Sequence, residues 1–312
     1  MDINKLSEQF SIADNVSIVE GENHIPYVII DNEKVRSVIS LYGAQVLSFI
    51  PQGKKELLFL SKLASYQRGK SIKGGIPVCW PWFGSEPENI SGIITGADNK
   101  VPQAHGFARN KMWQLVSTEV LQNDQIKIVM GLKEDSESLK LWPCKFDLKL
   151  EIVVGDVLSL NLITQNTDNK VIQITQALHS YFSIKDLSQV SVLGLESNAY
   201  LDKANVNTGE VKKQQSGAVL FEQEVDRIYL DVPASVQLVD KANDREISIT
   251  SSGNKTAVVW NPGELISKQM QDLQDEDYQR FVCVETANAA HNVISIEPGN
   301  KFTLSVSYTF SG

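Results

Sequence analysis

Short alternations of apolar and polar residues, rather than helical stripes, organise this chain. In "KFDLKLEIVVGDVLSLNLITQNT", Phe146, Leu148, Leu150, Ile152 and Val154 share one face of an extended segment, because successive side chains point to opposite sides. A Gly155-Asp156 turn comes next, and Leu158, Leu160 and Leu162 then repeat the pattern, so the spacing predicts an antiparallel hairpin. The segments "KVRSVISLYGAQVLSFIPQGKKELLFLS", "MWQLVSTEVLQNDQIKIVMGL", "REISITSSGNKTAVVWNPG" and "NKFTLSVSYTF" continue the theme, broken by Gly, Asn and Asp turns. Helical periodicity is nearly absent, with "GELISKQMQDL" at 263–273 the best short helix. No internal repeat, low-complexity linker or shift in composition divides the chain. Residues 1–312 therefore read as one domain, an all-β, large antiparallel β-sandwich with few short helices.

Composition narrows the function classes. With 42% hydrophobic and 21% charged residues the chain has an ordinary soluble composition, and no apolar run approaches the roughly 20 residues that span a bilayer. The N-terminus, "MDINKLSEQFSIADNVSIVE", is polar and acidic and has no apolar signal core. Three widely spaced cysteines, Cys79, Cys144 and Cys283, suggest reduced thiols of a cytoplasmic protein rather than a disulfide scaffold or a metal cage. Cys79 and Cys283 lie in strand-like apolar runs, where a thiol acts as a small hydrophobe. Net charge is 29 − 38 = −9, with no basic stripe, which speaks against nucleic acid and anionic membranes as partners. A small anionic substrate would need a local cationic pocket.

Five segments carry candidate chemistry. "IQITQALHSYF" at 172–182 puts Ile172, Ile174, Leu178 and Phe182 on one face, and Gln173, Thr175, Ala177, His179 and Tyr181 on the other. That second face is polar but uncharged, as a cleft lining would be. "IKGGIPVCWPWFG" at 72–84 combines paired glycines, two prolines that exclude a central strand, and three large aromatics, which suit either a core cluster or a ligand face. It lacks the Gly-Lys-Ser/Thr ending of a phosphate loop. "PQAHGFARN" at 102–110 offers His105 and Arg109, and "EVDRIYLD" at 224–231 offers Asp226, beside Arg227 in what alone reads as a surface ion pair. In "FVCVETAN" at 281–288, Glu285 shares a face with Phe281 and Cys283, so its charge must be paired or specifically solvated.

Together and in this order, "KGGIPVCWPWFG", "HGFARN", "ALHSYF", "DRIY", "VVWNPG" and "VCVETA" resemble the aldose 1-epimerase (mutarotase) superfamily, and within it the glucose-6-phosphate 1-epimerase or hexose-6-phosphate mutarotase branch. The resemblance implies the galactose mutarotase-like β-supersandwich. It makes His179 the catalytic acid and Glu285 the catalytic base, and His105, Arg109 and Asp226 substrate contacts. Lys73 and Gln103 stand as further substrate contacts, each departing from the family pattern. Lys73 replaces an arginine with a point charge, and Ala104 separates Gln103 from the histidine it normally precedes.

The implied reaction interconverts the anomers of a hexose 6-phosphate. A base takes the C1 hydroxyl proton while an acid protonates the ring oxygen, and the opened sugar recloses on its other face. Glu285, ionised near neutrality, and His179, with an ordinary pKa of about 6.5, suit these roles without metal or cofactor. The two should face each other across one pocket about a pyranose ring apart. Lys73 and Arg109 should form a positive rim beside His105, with Arg68, Lys70 and Lys111 flanking them. The expected partner is a small sugar phosphate, bound by a monomer or weak dimer. Rival readings are a neutral-hexose mutarotase, a non-catalytic carbohydrate-binding protein, a glycoside hydrolase using Asp226 and Glu285, and a metal site of His105, His179 and Glu285.

Overall fold

The computed structural model of the chain describes residues 2–85, 90, 103–204 and 211–311; residue 102 of the "PQAHGFARN" motif lies outside these. The expected hairpin forms. Phe146–Val154 pairs antiparallel with Leu158–Asn166, Val154 opposite Leu158, and the alternate apolar residues of both strands are buried.

This hairpin belongs to an eight-stranded antiparallel back sheet. Its spatial order is Val190–Leu193, Ser235–Asp240, Arg245–Ser252, Lys301–Ser311, Leu158–Asn166, Phe146–Val154, Ile126–Lys133 and Gln114–Val120. The facing front sheet runs Val211–Gln214, Ala199–Asp202, Val225–Leu230, Thr256–Asn261, Phe281–Asn288, Gln176–Leu178 and Val78–Cys79, with Tyr181–Ser183 also paired to Phe281–Asn288. Leu148, Leu150 and Leu160 of the back sheet share one core with Val259, Val282 and Val284 of the front sheet. A four-stranded meander from Val16–Glu20 to Gln45–Pro51 adds Val28, Ile30, Ile39 and Phe49 to it. Alternation thus becomes a sandwich by burying every second side chain between the two sheets.

Helices depart from the sequence reading. The 263–273 segment is helical only over Gly263–Ser267, because Leu265 stays in solvent while Leu273 turns inward to join Phe59, Tyr181 and Phe281. Ile3–Phe10 and Ser136–Leu141 are also helical, each started by an aspartate (Asp2, Asp135) that accepts backbone N–H bonds. Both are too short for apolar periodicity to mark them. Among the described residues no helix is long and apolar enough to cross a membrane.

The 172–182 segment is three short strands, not one. Ile172–Ile174 pairs with Ile294–Ile296 in a separate ribbon, Gln176–Leu178 lies between Phe281–Asn288 and Val78–Cys79, and Tyr181–Ser183 pairs with the start of Phe281–Asn288. At the interruptions the proline-bearing loop takes over the backbone bonds, Thr175 N–H donating to Pro81 O and His179 N–H to Pro77 O. The register nevertheless carries through. Leu178 lies opposite Thr286 and Tyr181 opposite Cys283, so His179 falls level with Glu285.

The loop carrying His105 is locked to this edge by a close backbone approach. Gly106, at φ +69°, would place an added Cβ 2.0 Å from Trp80 O, and that same oxygen accepts from the N–H groups of Phe107 (3.0 Å) and Ala108 (3.2 Å). Gly106→Ala is therefore expected to destabilise the fold by about 2–4 kcal/mol, from left-handed strain plus collision with backbone. Guanidinium unfolding monitored by tryptophan fluorescence measures it; a stability within about 0.5 kcal/mol of wild type contradicts the close approach.

Candidate active site

A cavity of about 550 Å³ opens on the front sheet, away from the sandwich core. Two rows of side chains reach that face. Pairing sets Ile228 beside Val258 and Val258 beside Glu285, with His179 next in line; the adjacent row runs Asp226, Trp260, Cys283 and Tyr181. Neighbours on one face of an antiparallel pair lie about 5 Å apart at Cβ, which makes such side chains touch.

His179 and Glu285 do touch. Nε2 of His179 lies 3.4 Å from Oε1 of Glu285, with the residues 7% and 2% exposed. This corrects the expected separation of a pyranose ring, and cross-strand adjacency is the reason. The remaining nitrogen, Nδ1 of His179, and the remaining oxygen, Oε2 of Glu285, have no protein hydrogen-bond partner. Aromatic rings fix the imidazole plane: Tyr181 stacks on it at 4.7 Å with 7° between planes, and Trp260 meets both rings edge-on at 6.1 Å.

Burial drives both groups toward their neutral forms. It pushes His179 well below the ordinary histidine value, helped by the positive surroundings of His105, Arg109 and Lys73. It pushes Glu285 well above the ordinary carboxyl value, with Asp226 adding to the rise and Arg109 opposing it. The expectation of an ordinary histidine beside an ionised glutamate is thereby corrected. The two share one proton, and desolvation favours leaving it on the carboxyl.

His105 lies at φ +61° just before Gly106. Its Nδ1 accepts the Gly84 N–H at 3.3 Å, which leaves its proton on Nε2. Burial, then Arg109 and Lys73, lowers its pKa to about 3, so the ring is a neutral hydrogen-bond donor at physiological pH. Arg109, in the Ala108–Asn110 turn, is anchored by Nη2 donating to Ala104 O at 2.9 Å, while its buried Nε has no partner. Lys73 has its Nζ 3.3 Å from Asp272 Oδ2 and 5.9 Å from the Trp260 ring centroid. Asp226 is raised to about 6 by burial and by Glu224, so it can accept or donate near neutrality.

Six of the seven residues singled out in the sequence, Lys73, His105, Arg109, His179, Asp226 and Glu285, line the cavity. Gln103 does not. Its backbone carbonyl accepts from Trp82 Nε1 and its side-chain oxygen from Asn110 Nδ2, both at 3.0 Å, so it braces the His105 loop. The flanking cations also miss. Arg68 and Lys70 are not in the lining, and Lys111 is paired with Asp135 at 2.7 Å. Asp226 is no surface ion pair, since Arg227 turns instead to Gln215 and the Tyr200 ring. Of the 72–84 aromatics, Trp80 and Trp82 are fully buried and only Phe83 reaches the cavity. Sequence reasoning gave no role to Trp260, although its alternation with Val258 placed it on the site face, and it missed Lys203, for which no local signal exists. Among the described residues, no group of three or more His, Cys, Asp or Glu side chains is placed to hold a metal ion.

The chain matches the family model for aldose 1-epimerase over residues 26–309. It is 36% identical over 272 residues to a Cenchrus ciliaris protein named "Putative glucose-6-phosphate 1-epimerase", covering 85% of this chain and 78% of the relative. A protein of the same name from Escherichia coli (strain K12) is 34% identical over 268 residues, covering 86% and 85%. A solved structure described as a "putative mutarotase", from Salmonella typhimurium, superposes with a TM-score of 0.85 at 29% identity over 99% of both chains. With a galactose mutarotase-like β-sandwich and a family match running through nearly all of it, the chain belongs to the aldose 1-epimerase family.

Proposed function

We propose that this epimerase interconverts the α and β anomers of a hexose 6-phosphate, with glucose 6-phosphate as the substrate to test first. The supporting observation is the presence of Lys73 and Arg109 in one cavity with the His179–Glu285 contact, in a protein of net charge −9. A phosphate dianion entering such a protein needs charge-assisted donors. The names of the relatives from Cenchrus ciliaris and Escherichia coli agree with this substrate.

The shared proton first passes from Glu285 to His179; the freed carboxylate then accepts the proton of the C1 hydroxyl, and the His179 imidazolium gives its proton to the ring oxygen as the bond from C1 to that oxygen breaks. The aldehyde rotates about C1–C2. Closure then returns a proton from Glu285 to O1 and takes one from the C5 hydroxyl back to His179, which regenerates both groups. His105 donates from Nε2 near the ring oxygen, and Arg109 and Asp226 hold the remaining polar groups. The phosphate has a second effect. By balancing Lys73 and Arg109, whose positive charge depresses His179, it makes the imidazolium easier to form. A neutral hexose is the second reading, favoured by one observation: Asp272 already supplies Lys73 with a counter-charge.

Anomer exchange followed by NMR on glucose 6-phosphate, galactose 6-phosphate and free glucose separates the two readings. The phosphosugars should exchange faster, and Arg109→Ala should weaken apparent glucose 6-phosphate binding by about 1.5–3 kcal/mol, the worth of a hydrogen bond to a charged group, while affecting glucose less. Added salt should weaken phosphosugar use selectively. Equal effects on both sugars would support the neutral-hexose reading.

Glu285→Gln keeps the shape of the side chain and removes the base. It should lower the exchange rate by roughly 10²–10⁴-fold with the fold intact by circular dichroism. Near-full activity would take Glu285 out of the mechanism.

The shared proton sets the pH profile. At low pH both groups are protonated and no base remains; at high pH both are deprotonated and no acid remains. Since His179 is pushed down and Glu285 up, kcat/KM should stay level through the ordinary histidine range once corrected for the substrate phosphate, which titrates near ~6. A single inflection at the ordinary histidine value would contradict the desolvated pair.

A further inference from the structure

Lys73 is a buried lysine, its side chain only 13% exposed, and burial strips a lysine of its proton far more readily than an arginine. Its ion pair with Asp272 is built with unusual support. Ser61 bridges the two backbones, its N–H donating to Lys73 O at 3.1 Å and its Oγ to Asp272 O at 2.7 Å. Leu273, next to Asp272, is buried against Phe59, Tyr181 and Phe281, so the acidic segment is anchored on both sides of the carboxylate. Asp272 itself does not line the cavity, whereas Lys73 does.

We propose that Asp272 is a positioning residue that keeps Lys73 an ammonium ion inside the cavity wall, so that Lys73 can receive the anionic substituent of the sugar. This rests on the phosphosugar reading above for its ligand, but not for the protonation of Lys73. The neighbours of Lys73 divide cleanly. Burial and Arg109, from the Ala108–Asn110 turn, favour the neutral amine, and Asp272 favours the ammonium by charge and hydrogen bond. His105 and His179, which Lys73 disfavours as cations, are driven neutral by burial; Cys283, on Phe281–Asn288, is a thiol pushed well above its ordinary range; and Trp260 offers a ring face. Asp272 is thus the carboxylate in hydrogen-bonding contact with the amine. An arginine at position 73 would stay charged without such a keeper.

Without Asp272, Lys73 loses its proton at lower pH, so anion binding must fall as pH rises through that point. Heteronuclear NMR of the Lys73 ¹³Cε–¹⁵Nζ group in the protein alone should show the Asp272→Asn midpoint at least about one pH unit below wild type, with Asp272→Glu restoring it. In kinetics, KM for glucose 6-phosphate should change less than about twofold between pH 7 and 9 in wild type and rise roughly tenfold in Asp272→Asn, the worth of one charge-assisted contact. Lys73→Arg in the Asp272→Asn background should remove that pH step. If wild type shows no preference for phosphosugar over glucose, the substrate reading fails while the NMR midpoint still decides the role of Asp272. An unchanged midpoint in Asp272→Asn overturns the proposal, as does a lowered midpoint that KM does not follow in an enzyme that prefers the phosphosugar.

Discussion

An imidazole and a carboxyl held in contact almost out of reach of water, His179 against Glu285, is the constraint on which the other parts of the site depend. Moving an isolated charge into such surroundings costs on the order of several kcal/mol per ion, so neither group can be present as a lone charge. The fold answers with placement. Both residues lie level on neighbouring stretches of one sheet, and the aromatic rings of Tyr181 and Trp260 leave the imidazole little freedom to turn aside. Nδ1 of His179 and Oε2 of Glu285 are buried without a protein hydrogen-bond partner, which adds to the cost of charging either group.

The second layer of the design is electrostatic balance. Positive Lys73 and Arg109 and acidic Asp226 and Glu285 line one cavity, and Asp272 stands just behind Lys73. Each group alters its neighbours' protonation: Arg109 and Lys73 depress both histidines, while Asp226 raises Glu285. A ligand that brought two negative charges to the Lys73 side would change this balance in the direction the chemistry requires, by easing the protonation of His179. In the proposed mechanism, recognition and catalysis are therefore coupled through charge.

The legible part of the fold was whatever a period of two encodes. The hairpin at Gly155-Asp156, the inward faces of both its strands and the site-facing parity of His179, Tyr181 and Glu285 could all be read along the chain, because alternation is local. The breaks in the 172–182 strand could not, because they arise where Pro77 and Pro81, far away in sequence, capture the backbone N–H groups of His179 and Thr175. Contact between His179 and Glu285 was hidden for a related reason: it depends on register between strands. Six of the residues that family resemblance named line the cavity, whereas Gln103 stays out of the lining with its side-chain oxygen bonded to Asn110. Lys203 and Asp272 left no mark in the sequence, since nothing local distinguishes them from other surface charges.

In the proposed mechanism one sugar carbon presents its two oxygens to the His179–Glu285 contact while the phosphate rests on Lys73. A crystal structure with 1,5-anhydroglucitol 6-phosphate puts this to the test, because the compound keeps the ring oxygen and phosphate but lacks the reacting hydroxyl. The ring oxygen should lie within hydrogen-bond distance of His179, with C1 turned toward Glu285 and the phosphate within reach of Lys73 and Arg109. A sugar bound with its C4 side against His179 and Glu285, or a phosphate pointing away from Lys73 into solvent, would contradict the mechanism.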